Sequence, residues 1–357
     1  MGRRLLVLCG ALLLGACEDP LVIIGDLPGF MRITAGIPDS SGVRLDSIAT
    51  RTRLTSPLGV AADSAGMLYI GDSRSRIFRV TSAGRIERLV NHDPCNVKTC
   101  VGRPQSLAVM GNTVLIADDM SDKIWRLNLI NREVVAIAGT GVHGVAPDGT
   151  LANAAPLSSP TSVLVLPDGR IVFAERNAHR IRVINTNGTL GTIAGNGIMG
   201  EAPDGATATN ASINLPTGLA VSGNTLYFTE TGTHTIRALD LTAGTLTRVA
   251  GIGVNGFSGD LGPALQAAFD YPAALAINNN SLFVSDQNND RVRVINVQTG
   301  IVSTFAGNGS RTYTGNGRAA GEASLFRPAG LAFSPYGFLY IADSGHHIVW
   351  RTPVTIR

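Results

Sequence analysis

The chain has 357 residues, of which 42 are glycine, 15% are charged, and the formal charge is +3. That length exceeds an ordinary single domain but suits one large all-β unit. No long stretch places apolar residues at i, i+3 and i+4, which excludes a helical bundle, and no basic footprint marks a nucleic-acid binder.

Arg3 and Arg4 precede an apolar run from Leu5 to Leu14. The run is too short to span a bilayer, which takes about 20 residues. It ends in Leu14-Gly15-Ala16-Cys17, which resembles a bacterial lipobox. That resemblance implies a lipoprotein signal peptide over 1–16, acylation of Cys17, a lipidated tether over 17–29 and a folded unit over 30–357. It also implies a bacterial cell envelope location, outer membrane or periplasm-facing rather than cytoplasmic. Loss of the signal removes Arg3 and Arg4 and lowers the formal charge from +3 to +1. Cys95 and Cys100, spaced C-x4-C, are expected as a short-loop disulfide in an oxidising compartment, with free thiols or a metal site beside His92 as alternatives.

From residue 57 onward the chain repeats. A proline followed by a small-apolar strand recurs at Pro57, Pro104, Pro160, Pro216, Pro272 and Pro328, the last five spaced by 56 residues. Each unit continues with a second strand ending in an acid (Asp72, Asp118, Glu175, Glu230, Asp286, Asp343), an alternating third strand, and a fourth strand such as that ending at Ala194. The fourth-strand alanines 138, 194, 250 and 306 each lie 22 residues before the next proline. Ala35 lies 22 residues before Pro57, so the Met31–Gly36 segment reads as the missing fourth strand of the unit that begins at Pro328. The expectation is an all-β, six-bladed β-propeller of four-stranded antiparallel blades, closed by an N-terminal strand that completes the last blade.

The Ala194-Gly195-Asn196-Gly197-Ile198-Met199-Gly200 stretch and the later Asp204-Gly205-Ala206 resemble the NHL repeat, in its long bacterial form. The resemblance implies the propeller fold and says little of chemistry, because this fold carries binders, lyases and lactonases.

The recurring acids read as blade-supporting acceptors of backbone N–H groups. Four residues after each acid stands a more variable position: Arg76, Asp122, His179, His234, Asp290 and His347. These are candidate ligand-binding residues. Read as zinc ligands, their histidines would sit in separate blades, and the NHL consensus carries histidine there in any case. Residues just after each proline, expected to line the central channel, include no His, Asp, Glu or Lys. The titratable group that acid–base catalysis requires is therefore missing from those positions. Arg311 and Tyr313, near Phe257, Tyr271, Phe326 and Arg327, read either as one sector of a partner site or as pins that hold the long connections down.

The functional expectation is a monomeric, lipid-anchored scaffold that binds an envelope or extracellular protein, peptide or glycan through the face bearing the long connections. It is expected to have no nucleic-acid partner, no catalytic residue and no resident cofactor. The alternative is a metal-dependent lactonase- or lyase-like enzyme using calcium or zinc.

Overall fold

The computed structural model describes residues 29–41, 47–91 and 100–354. Cys17 and Cys95 lie outside them. Among the described residues, six antiparallel sheets are arranged around a central axis as a six-bladed β-propeller. The innermost strands are Pro57–Ala62, Pro104–Met110, Pro160–Val165, Pro216–Ser222, Pro272–Asn278 and Pro328–Phe333, one per blade, numbered here blades 1 to 6. Five blades have four strands. Blade 5 gains a fifth, Gly262–Pro263, pairing beyond its outer edge.

The closure expected from the 22-residue step is present. Arg32–Gly36 pairs antiparallel with Ile348–Pro353, with Ile33 opposite Trp350 and Ala35 opposite Val349. A bulge between Ile33 and Ala35 sets this register. Without that strand, blade 6 would present an unpaired edge.

Core packing follows the ring. Each neighbouring pair of blades shares its own apolar cluster, as where Val172 and Ile181 of blade 3 meet Leu226 and Phe228 of blade 4. Six such interfaces replace one central core, because a twisted sheet buries its faces only against its neighbours. At the axis the strands crowd. A Cβ on Gly218 would stand 2.1 Å from the Ala273 carbonyl oxygen of the next blade.

The connections between blades differ from the expectation of free loops on one face. Gly139, Gly195, Gly251 and Gly307, each at the end of a fourth strand, donate N–H to the carbonyls of Ala152, Ala208, Ala264 and Ala320 within the same connection. Mid-connection residues then pair with the outer strand of the following blade, at Leu151–Thr189 and Thr207–Thr245, and so cover its edge. Aspartates at equivalent positions in the connections complete the clamp, two of them in Asp-Gly pairs and the third before Leu261. Asp148 accepts from Thr192, Asp204 from the Arg248 backbone, and Asp260 from Thr304. The repeated motifs therefore belt the perimeter, and only the last residues of each connection return to the axis.

Candidate functional site

The second-strand acids are fully buried. Each accepts the backbone N–H of the residue two before the proline of its own blade: Thr55, Gly102, Ser158, Asn214, Asp270 and Phe326. Buried arginines on the third strands partner four of them, as in Arg76–Asp72 and Arg182–Glu175. Two more meet the indoles of Trp125 and Trp350. Burial pushes Glu230 up to about 7 and Asp286 up to about 6, against the pull of those backbone bonds. Asp343 is raised by burial too, while its bond to His346 raises that imidazole despite the opposing effect of burial.

The candidate positions four residues after each acid do not converge on one ligand. Five of them bridge blade boundaries. Asp122, His179, His234, Asp290 and His347 accept the backbone N–H of Ser159, Leu215, Tyr271, Arg327 and Ser56, the residue just before the next blade's proline. These five donor residues all have a left-handed φ between 44° and 56°. That conformation is costly for a residue with a side chain, so the clasp stabilises a strained turn. Accepting an N–H requires the imidazole nitrogen to be unprotonated. Burial holds His179 and His347 below the ordinary imidazole value, consistent with that state. Arg76, the sixth, instead pairs with Asp72 beneath Thr55. Arg311 binds Asp290 and lies over the Phe326 ring, and Tyr313 stacks on Trp350, which pins that connection to blades 5 and 6.

The strained turns have a second consequence. Ser56, Tyr271 and Arg327 on such turns reach the axis, as does Arg103, and beside them stand Ser73, Asp119, Arg176, Gln287 and Ser344, each the residue after a second-strand acid. These two positions, rather than the residues after the proline alone, build the rim of a central cavity of 930 Å³. Arg103, Asp119, Arg176, Tyr271, Gln287 and Arg327 line it, with His347 beside them. Gln105, Ser106, Thr161, Ser162 and Thr217 follow below. Deeper still, Val60, Leu164, Val221, Ile277 and Phe333 make it apolar. The residues after each proline line the channel as expected, from Leu58 and Gly59 to Ala329 and Gly330, but the charged rim formed before the proline and after the acid was missed. The available signal was the variability of the residue before each repeated proline, where Ser, Arg, Leu and Tyr alternate.

Charge on the rim is unbalanced. Arg103 engages Asp119 through two bonds of 2.8 and 2.6 Å, and Gln105 donates to the same carboxylate. Arg176, from blade 3, lies over the Tyr271 ring, just before the innermost strand of blade 5, 5.7 Å from its centroid. Its Nε is shielded from solvent and has no hydrogen-bond partner. Among the described residues, neither Arg176 nor Arg327 has an ion-pair partner. Nor do three or more His, Cys, Asp or Glu side chains gather among the described residues in a metal-binding group.

The fold and this mouth define a six-bladed β-propeller with an open, cationic central cavity. No family model matches the chain. It is similar to NHL repeat-containing protein 2 of Homo sapiens, 25% identical over 276 residues, which is 68% of this chain and 38% of that protein. It is also similar to Protein SUPPRESSOR OF QUENCHING 1, chloroplastic, of Arabidopsis thaliana, 27% identical over 262 residues, 69% of this chain and 24% of that protein. The match therefore spans well under half of either relative's length. Among solved structures, an auxiliary nutrient binding protein from Bacteroides thetaiotaomicron superposes with a TM-score of 0.66 over 90% of this chain and 75% of that one, at 14% identity, a likeness of fold. The chain is thus similar in sequence to NHL-repeat proteins and in fold to other propellers.

Proposed function

We propose that the chain is a binding scaffold of the bacterial cell envelope, anchored by lipid at Cys17, that takes an envelope or extracellular protein, peptide or glycan at the mouth of its propeller. The Cys95–Cys100 disulfide belongs to the same exported state. The observation that carries the reading is the rim itself: a cavity large enough for a small ligand, polar at its opening, with donor groups left unused. Asp119, the acid on this rim, has both oxygens engaged by Arg103 and Gln105, which fits a structural ion pair better than a general base. The name carried by the nutrient-binding neighbour agrees with a ligand-holding role.

The test uses purified chain against panels of glycans, peptides and envelope proteins, with a Gln105→Ala/Gln287→Ala double variant as control. Both glutamines face the cavity and neither belongs to the blade clasps. Binding that falls at least tenfold in the variant supports the mouth as the site. Binding that is equal in both proteins moves the site to the belt of connections, and absence of any ligand removes the scaffold reading.

A further inference from the structure

Arg176 shares a buried, unpartnered Nε with Arg79, Arg237 and Arg293, but unlike them it has no carboxylate partner among the described residues. Its guanidinium meets an aromatic face of blade 5 at the mouth in place of a carboxylate, and its Nε is hidden from water. An arginine Nε without an acceptor forfeits a charge-assisted bond. Tyr271, its partner, sits at φ 56° and is held there by the N–H that His234 accepts. Its hydroxyl has no hydrogen-bond partner among the described residues. Arg327 stands on the same rim, also at positive φ, also without a carboxylate. Three donor groups thus converge on one opening with nothing to receive them, while the third rim arginine, Arg103, is already neutralised by Asp119.

Below these donors lies a belt of one amide and several hydroxyls, Gln105, Ser106, Thr161, Ser162 and Thr217, with Gln287 beside them on the rim. Each carries both donor and acceptor capacity, which matches the mixed character of sugar hydroxyls.

Resting on the mouth as the binding site, we propose that its ligand is a sugar acid: a small, hydroxyl-rich molecule whose carboxylate is held by Arg176, Arg327 and the Tyr271 hydroxyl while its hydroxyls meet the amide and hydroxyl belt. Charge supplies the anchor and the belt supplies selectivity. The terminal nitrogens of Arg176, which unlike its Nε are not shut off from solvent, meet the carboxylate, and a planar guanidinium suits such an acceptor.

Isothermal titration of the purified chain with galacturonate, galactose and inorganic phosphate tests this. Galacturonate is expected to bind at least tenfold more tightly than galactose or phosphate, and to weaken as salt rises. Arg176→Gln should reduce galacturonate affinity at least tenfold without lowering the melting temperature, since the Arg176 side chain takes no part in a blade clasp. Arg327→Gln should weaken it by a smaller factor. Equal affinity for galactose and galacturonate overturns the role of charge. Phosphate binding as tightly as galacturonate overturns the sugar-acid assignment and leaves a simple anion site. If Arg176→Gln and Arg327→Gln both retain wild-type affinity, the anchor is wrong. Should none of the three bind while a peptide or protein is still captured at the mouth, the sugar acid falls and the scaffold stands. Should nothing bind there, both fall.

Discussion

Replacing Gly218 with alanine probes the geometry that holds the mouth open. The new methyl carbon would lie 2.1 Å from the Ala273 carbonyl oxygen and 2.9 Å from the Ala274 Cα. Those atoms are backbone of the neighbouring innermost strand, so no side chain can swing aside. Restoring ordinary contact moves the two strands apart by about 1 Å. The carbonyl in question also accepts from Thr229 Oγ1, which in turn accepts the Gly218 N–H, so widening strains a buried two-step chain of 3.0 and 2.8 Å bonds. Overpacking of this kind costs about 1–3 kcal/mol. For a domain of this size, each kcal/mol lowers the melting temperature by about 2–4 °C. A fall of roughly 2–12 °C is therefore expected by calorimetry or circular dichroism. Gly321→Ala is the control, because nothing lies within 4 Å of its added carbon and its φ is unremarkable. A Gly218→Ala protein melting within about 1 °C of wild type, on this scale, would show that the strands tolerate the extra volume. The close-packed axis would then be refuted.

Three further outcomes are expected. Trp350, 1% exposed and bonded to Asp343, faces Ile33 across the ring closure; Trp350→Ala should cost about 3–5 kcal/mol and raise amide exchange in residues 32–36 before other blades, whereas uniform exchange would mean that closure is not the weak seam. His179 is held below its usual value by burial, with Arg180 adding to the effect, so the neutral form is favoured in the fold. Its clasp on Leu215 therefore contributes fully above the ordinary imidazole value and is lost as pH falls through the lowered one. His179→Ala should cost about 1 kcal/mol at neutral pH and progressively less toward pH 5 in denaturant titrations; a cost independent of pH would rule out the clasp. Finally, cells expressing the chain should incorporate labelled palmitate into it, and Cys17→Ala should abolish that label. Equal labelling would place any acyl group elsewhere.

Much of the architecture is legible in the residues because the repeat is written in spacing. The prolines mark where each innermost strand begins, the acids mark where each second strand ends, and the distance from Ala35 to Pro57 reveals the strand that closes the ring. The acids' service to backbone N–H groups is legible too, since a group needed in every blade must serve the blade. The clasps made by His179, His234 and His347 were not, because a histidine that accepts a neighbour's N–H has the same spelling as one that binds a ligand.

The channel-lining residues after each proline were legible in the repeat, but the charged rim of the mouth belongs to tertiary structure. Arg103, Arg176, Tyr271 and Arg327 are widely separated along the chain and share no motif. They meet because a left-handed turn aims Tyr271 and Arg327 inward, because the turn after Glu175 brings Arg176 to the same rim, and because closing six blades around one axis converts a distance along the chain into proximity across a cavity. Periodicity fixes where a residue stands within its blade. Which side chains then face one another over the opening, and which charges remain unmatched there, depends on the curvature of the ring and on the length of each side chain, and neither is encoded in any local run of residues.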